Sequence, residues 1–320
     1  LREAPAVTLD GVSITLHANI DLPGDIDSLR DVGANGVGLY RTEFMFMNRS
    51  DYPDEDEHFN VYRQMIDTLA GAPLTIRTAD IGADKPTDAG PDTGSLAANP
   101  ALGLRAIRLC LREPSLFRPQ LRAILRASAF GPVRMMIPML SSIDEVRQVL
   151  DVVATLRNEL RRRDIAFDEN MPIGGMIEVP AAAICADIFA VELDFLSIGT
   201  YDLIQYGVAI DRVNDAVSYL YDPLNPGVLR LIQMTLDAGS KAGIAVAMCG
   251  EMAGDRRYTR LLLGLGLTEF SVHPAALLEI KHLVNTTHRA SIQGYAQEFL
   301  NTTDANRKRE LLALLDGQQG

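Results

Sequence analysis

The chain has 320 residues, 47% of them hydrophobic, which is enough for one large or two small domains with a substantial core and excludes intrinsic disorder. Its 30 Lys and Arg against 42 Asp and Glu leave a net charge of −12, so an extended basic surface for nucleic acid or anionic lipid is excluded and any anionic ligand must be held by a local cluster. No apolar run reaches the roughly 18 residues of a membrane span, and no basic-then-apolar export signal opens the chain.

Short β-branched apolar runs recur, each followed by helical spacing, the alternation that builds a parallel sheet with crossover helices. Strands are predicted at Ser13–Asn19, Val37–Tyr40, Leu74–Thr78, Arg134–Pro138, Ile173–Val179, Phe195–Ile198, Ala245–Cys249 and Phe270–Val272. Eight parallel strands with helices between them, in a chain of this length, predict a (β/α)8 TIM barrel with a long inserted loop and extra helices. Between the strands, Phe59, Tyr62, Ile66 and Leu69 form an apolar face that ends at Gly71, a fitting helix cap. Asp80 to Pro100 is rich in Gly, Pro and Asp and reads as a long surface loop, followed by two helices split at Pro114. Ser142 and Glu145 fit a capping box ahead of Val146, Val149, Leu150, Val153, Leu156 and Leu160, while Asn225-Pro226 reads as a helix start. Residues 1–290 are taken as the barrel and 291–320 as a helical tail, with Lys308–Leu315 either a packed last helix or a frayed end.

Cys110, Cys185 and Cys249 lie far apart with no C-x-x-C pair, so neither a disulfide framework nor a cysteine metal site is expected, and a reducing cytosol is the simplest compartment. Leu1 in place of a start methionine gives the expectation of a piece of a longer protein.

A barrel carries its active site at the C-terminal ends of its strands, so the residues closing each run are the candidates. They are Arg41-Thr42-Glu43, Arg77-Thr78-Ala79-Asp80, Glu178, Gly199-Thr200-Tyr201-Asp202 and Cys249-Gly250-Glu251. Arg41 and Arg77 admit two readings, structural ion pairs with Glu43, Asp80 or a neighbour, or an anion clamp whose planar guanidinium donors match phosphate or carboxylate. Lys85 in the long loop, Arg105 on the helix that follows and Arg212 after Ala209-Ile210-Asp211 are further cations, solvated or functional. Glu178 and Asp202 end neighbouring strands and suit a hard cation such as Mg²⁺, or else balance nearby arginines. The amides after Gly199 are open to an oxyanion. Cys249 reads either as a small buried hydrophobe or as a nucleophile or proton donor. Cys110 and Cys185 lie in helical stretches and read as core. Of the histidines, His273 closes the last strand near the rim, His17 lies in the first strand, and His58, His282 and His288 read as helical and solvated.

At these residues the sequence resembles a known family. Gly36-Val37-Gly38-Leu39-Tyr40-Arg41-Thr42-Glu43-Phe44-Met45-Phe46-Met47 is similar to the signature of enzyme I of the bacterial phosphoenolpyruvate:sugar phosphotransferase system, the phosphoenolpyruvate-protein phosphotransferases. In order, Ile76 to Lys85, Asn99-Pro100 with Gly103 to Arg108, Gln120 to Ala127, Met176 to Pro180, Asp194 to Tyr206, Ala209 to Arg212 and Met248 to Asp255 resemble it too. Pyruvate phosphate dikinase and phosphoenolpyruvate synthase share the barrel more distantly.

The resemblance implies a cytoplasmic, dimerising barrel that binds phosphoenolpyruvate and releases pyruvate. By position, Glu178 and Asp202 would hold Mg²⁺, and Arg41, Arg77 and Arg212 would neutralise the phosphoryl group with Lys85 assisting. Arg105 would help hold the carboxylate, and Cys249 would protonate the methylene carbon. It also implies partners that this sequence does not contain, an N-terminal phosphohistidine domain and the histidine phosphocarrier protein. One departure bears on the site. Tyr201 stands where the family has Asn, an amide that helps orient substrate, so the phenol is expected either to swing outward or to plug the pocket, the latter leaving a catalytically impaired regulatory module.

Overall fold

A computed structural model describes residues 1–82 and 99–317. Its centre is a closed barrel of eight parallel strands in sequential order: β1 (Thr15–Ile20), β2 (Val37–Tyr40), β3 (Leu74–Arg77), β4 (Val133–Ile137), β5 (Ile173–Ile177), β6 (Phe195–Ile198), β7 (Ala245–Met248) and β8 (Glu269–Val272). The ring closes where β1 pairs with β8, Thr15 opposite Glu269 and His17 opposite Ser271. The predicted TIM barrel is therefore the observed fold. Several strands are one or two residues shorter than predicted, because the residues after Arg77, Ile177 and Met248 leave the ladder to form the rim.

The helices that cover the barrel are α1 (Ile26–Val32), α2 (Glu55–Leu69), α3 (Ile107–Arg112), α4 (Pro114–Ser128), α5 (Ile143–Arg162), α6 (Pro180–Ile184) and α7 (Ala186–Glu192). They continue with α8 (Thr200–Gly207), α9 (Pro226–Ala242), α10 (Glu251–Gly254), α11 (Arg256–Leu265), α12 (Pro274–Asn285), α13 (Arg289–Asn301) and α14 (Ala305–Asp316). The two predicted starts are seen: Ser142 accepts from the Glu145 amide ahead of α5, and Asn225 accepts from the Gly227 amide ahead of α9. Most of the expected 80–100 loop lies outside the described residues.

Both faces of each strand are buried, which is why the strands read as near-continuous apolar runs. Leu16, Ala18, Ile76, Met135, Leu196, Met248 and Phe270 face the helices, whereas Leu39, Met136, Met176, Phe195 and Cys249 form a separate cluster. The lumen is tight. A Cβ on Gly174 would lie 2.5 Å from the Phe195 ring, and the Arg134 guanidinium stacks on that ring at 3.9 Å, so β5 carries glycine at that point to admit the aromatic side chain. The last helices pack rather than fray: Ile292, Ala296, Phe299, Leu311 and Leu315 join the main core, and Arg260 of α11 donates to Thr287 Oγ1 (3.1 Å) and to the Asp316 carbonyl (2.9 Å).

Two local expectations are corrected. The buried stripe of α2 runs through His58, Tyr62, Met65 and Ile66, with Phe59 and Leu69 of the predicted face partly buried against the same core, but its left-handed cap falls on Ala70 rather than Gly71. The helix begins at Glu55, capped by Asp54, and this register turns His58 inward. Far from solvated, His58 is fully buried, its Nδ1 3.1 Å from Tyr62 Oη and its ring against Phe46 and Tyr62. Cys185 is only half-buried, at the break between α6 and α7, whereas Cys110 is core as expected.

Burial holds the imidazoles of His58 and His17 down at about 4, with Arg134 adding to the effect on His17. The unfolded chain takes up these protons near 6.5 and the native state does not, so this contribution is present above 6.5 and is lost as the pH falls toward 4. Thermal unfolding should show a melting temperature that drops between pH 7 and pH 4.5, and His58→Gln should flatten part of that drop; an unchanged slope would refute the assignment.

Candidate active site

The strand ends converge. A cavity of about 580 Å³ opens at the C-terminal mouth of the barrel and is lined by Arg41, Arg77, Glu178, Tyr201, Asp202, Arg212 and Cys249 among others. Arg105 does not line it. It precedes α3 rather than lying on a helix, pairs in a short bridge with Gly82, and sits fully buried behind Asp80. Lys85 lies outside the described residues. His273 is at the end of β8 but turned away: exposed, it accepts from the Ala275 amide as the cap of α12.

The arginines are paired, as one of the two readings of Arg41 and Arg77 expects, and both also line the cavity. Arg77 Nη2 lies 2.5 Å from Glu43 and Nη1 3.2 Å from Asp80, while Arg105 donates to Asp80 Oδ1 through Nη2 (2.7 Å) and Nε (3.2 Å). Burial opposes the Arg77 charge, but Glu43, Asp80 and Glu178 outweigh it and keep the guanidinium protonated. Arg41 bonds Asp21 at 2.7 Å near the surface, and Arg212 bonds Asp202 Oδ1 at 2.6 Å. The Tyr201 ring does not plug the cavity. It lies at the rim, 38% exposed, stacked on the Arg212 guanidinium at 3.6 Å with Tyr221 beside it.

Glu178 is the misfit charge. Burial first, then Asp202 and Asp80, push its carboxyl up to about 8, while Arg77 and the Met139 amide pull the other way. Its Oε1 accepts from the Met139 amide at 2.7 Å, and Met139 takes a left-handed φ of 58° that a non-glycine residue adopts at a cost. A Cβ on Gly199 would lie 3.0 Å from Glu178 Oε2, so glycine keeps that side of the carboxylate open. Two oxygen donors on neighbouring strand ends with an open flank fit Mg²⁺, which takes few protein oxygens and fills the rest with water and substrate. Among the described residues no group of three or more His, Cys, Asp or Glu side chains forms a fuller metal cage. Cys249 is buried and its Sγ donates to the Ile198 carbonyl at 3.7 Å. Burial raises its pKa, so at neutral pH it is a thiol, with a proton to give rather than a lone pair poised for attack.

Residues 1–289 match the family described as the phosphoenolpyruvate-binding domain of phosphoenolpyruvate-utilising enzymes. The chain belongs to this family. It is similar to the phosphoenolpyruvate-protein phosphotransferase of Cupriavidus necator, 51% identical over 316 residues, covering 98% of this chain and 54% of that protein. The protein of the same name from Listeria monocytogenes is 44% identical over 314 residues, with the same coverage. The chain thus spans about half the length of the curated relatives it matches, and the resemblance drawn from its motifs is borne out. Among solved structures, a citrate lyase from Burkholderia xenovorans superposes with a TM-score of 0.53 at 14% identity, covering 99% of this chain and 95% of that one. A Haloferax volcanii malate synthase gives 0.52 at 13%, covering 83% and 71%. At such identities these likenesses concern the fold alone.

In this barrel the rim rests on a buried polar network that reading along the sequence misses. Gln120 of α4, fully buried, accepts from the Ala79 amide at 2.9 Å and donates to Thr42 Oγ1 at 3.1 Å and Tyr62 Oη at 3.4 Å, while Thr42 donates to the Arg77 carbonyl at 3.0 Å. One amide therefore ties the ends of β2 and β3, which carry Arg41 and Arg77. The available signal was a polar residue on the apolar stripe of Leu116, Phe117, Leu121 and Ile124. Asp21 follows a first strand that runs one residue beyond its expected end, and Thr200 to Asp202, expected to close the sixth strand, open the helix α8. Replacing Gln120 by Leu strands the Ala79 amide, so we expect about 1–3 kcal/mol of lost stability in urea unfolding together with weaker binding of an anionic ligand at the rim. Loss of neither would show that the network does not support the site.

Proposed function

We propose that this chain is the phosphoenolpyruvate-binding part of a phosphoenolpyruvate-protein phosphotransferase, working as a cytoplasmic homodimer. The observation that supports the reading most is the meeting of Arg41, Arg77, Arg212, Glu178, Asp202 and Cys249 on one cavity. Phosphoryl transfer depends chiefly on positioning and charge neutralisation. In this reading Arg41, Arg77 and Arg212 surround the phosphoryl oxygens, with Lys85 adding charge, and Arg105 acts from behind by fixing Asp80. Glu178 and Asp202 hold Mg²⁺, which supplies Lewis-acid charge to the oxygens of the bound substrate. The bond between phosphorus and the enol oxygen breaks, the phosphoryl group passes to a histidine of a separate N-terminal domain and then to the histidine phosphocarrier protein, and the enolate remains. Cys249 gives its thiol proton to the methylene carbon of that enolate, completing pyruvate.

Isothermal calorimetry tests the binding half directly. Phosphoenolpyruvate should bind in the presence of Mg²⁺ and lose most of its affinity with EDTA. Glu178→Gln should remove the metal dependence, and Arg41→Gln should weaken binding roughly tenfold, the scale of one charge-assisted contact. No detectable binding at millimolar ligand would overturn the proposal.

A further inference from the structure

Of the arginines at the rim, Arg212 has the most unusual surroundings. Its Nη1 lies 2.6 Å from Asp202 Oδ1, its backbone amide donates to Gln205 Oε1 at 3.2 Å, and its guanidinium carbon rests 3.6 Å from the centre of the Tyr201 ring. Tyr221 meets Tyr201 edge-on at 6.0 Å with the planes at 61°. The second carboxylate oxygen of Asp202 is 3.9 Å from Arg105 Nη2. One of the two Asp202 oxygens is therefore covered by a guanidinium, and that guanidinium is held by an aromatic face as well as by the carboxylate. Glu178, the partner carboxylate, is bound through Oε1 to an amide instead.

We propose that Tyr201 sets the cation affinity of the site: its ring holds Arg212 on Asp202, so Arg212 and a divalent cation compete for one carboxylate, and cation binding releases Arg212 toward the anionic group of the substrate. Metal and substrate then bind in a linked order, because the ion that displaces Arg212 also frees a guanidinium to meet phosphate. A side chain without a π face offers no such platform, so Tyr201 keeps cation binding weaker until substrate is present. The inference rests on the two-carboxylate reading of Glu178 and Asp202.

Mn²⁺ binding followed by electron paramagnetic resonance, with no phosphoenolpyruvate present, separates the possibilities, with circular dichroism confirming that each variant is folded. Tyr201→Leu keeps the bulk but loses the π face. A cation–π contact at a partly exposed site converts to a roughly two- to fivefold gain in Mn²⁺ affinity when it is removed. Tyr201→Phe should match the parent. Arg212→Gln should bind Mn²⁺ more tightly still while binding phosphoenolpyruvate more weakly, and adding Tyr201→Leu to it should change nothing further. Parental Mn²⁺ affinity in Tyr201→Leu, or a gain that persists in the Arg212→Gln background, would overturn the role given to Tyr201 while leaving the metal reading standing. Failure of every variant to bind Mn²⁺, Arg212→Gln included, would overturn the metal reading and this inference with it.

Discussion

Asp80 carries two guanidinium groups in the interior of the protein. It is 1% exposed, Arg105 donates to one of its oxygens and Arg77 lies 3.2 Å from the other. Such a triad contributes little net stability as a whole, because desolvation of three charges cancels much of their attraction; removing one member is what costs, about 3–5 kcal/mol for a buried charge left uncompensated. Its value lies in geometry. Arg77 is presented to the cavity by a rigid partner that is itself held from behind, so the guanidinium is oriented before any ligand arrives and little reorganisation opposes binding.

The network beneath the rim extends this logic outward. Gln120 joins the ends of β2 and β3, Thr42 closes on the Arg77 carbonyl, and Tyr62 and His58 carry the pattern into α2. Fully connected buried polar groups of this kind specify one arrangement of the backbone, since any other arrangement leaves a donor without an acceptor in a medium of low polarity. At the surface, Arg118, Arg122 and Arg126 of α4 fall one turn apart and meet Glu159 of α5 and Glu55 beside them, fixing the helix that holds Gln120.

Much of this was legible in the sequence, for identifiable reasons. Strands buried on both faces advertise themselves as apolar runs, and the residues that end those runs must sit on one rim of a barrel, so Arg41, Arg77, Glu178, Asp202 and Cys249 could be grouped without coordinates. What stayed hidden depends on contacts across elements. His58 lies one turn before Tyr62 on the buried face of α2, where it meets Phe46 and Tyr62. The withdrawal of Arg105 behind Asp80 depends on its bridge to Gly82 across the sequence. The posture of Tyr201 is settled by Arg212 and Tyr221, eleven and twenty residues on in the sequence, and spacing rules carry no information about such a meeting.

The ring closes by joining the chain's first strand to its last, Thr15 beside Glu269. During synthesis, at about 5–20 residues per second, the first strand therefore waits many seconds for its neighbour while its unpaired backbone groups stay open to other strands. A nascent or truncated chain that stops short of β8 presents two sticky sheet edges at once, so the demand for protection by chaperones is greatest just before β8 is made.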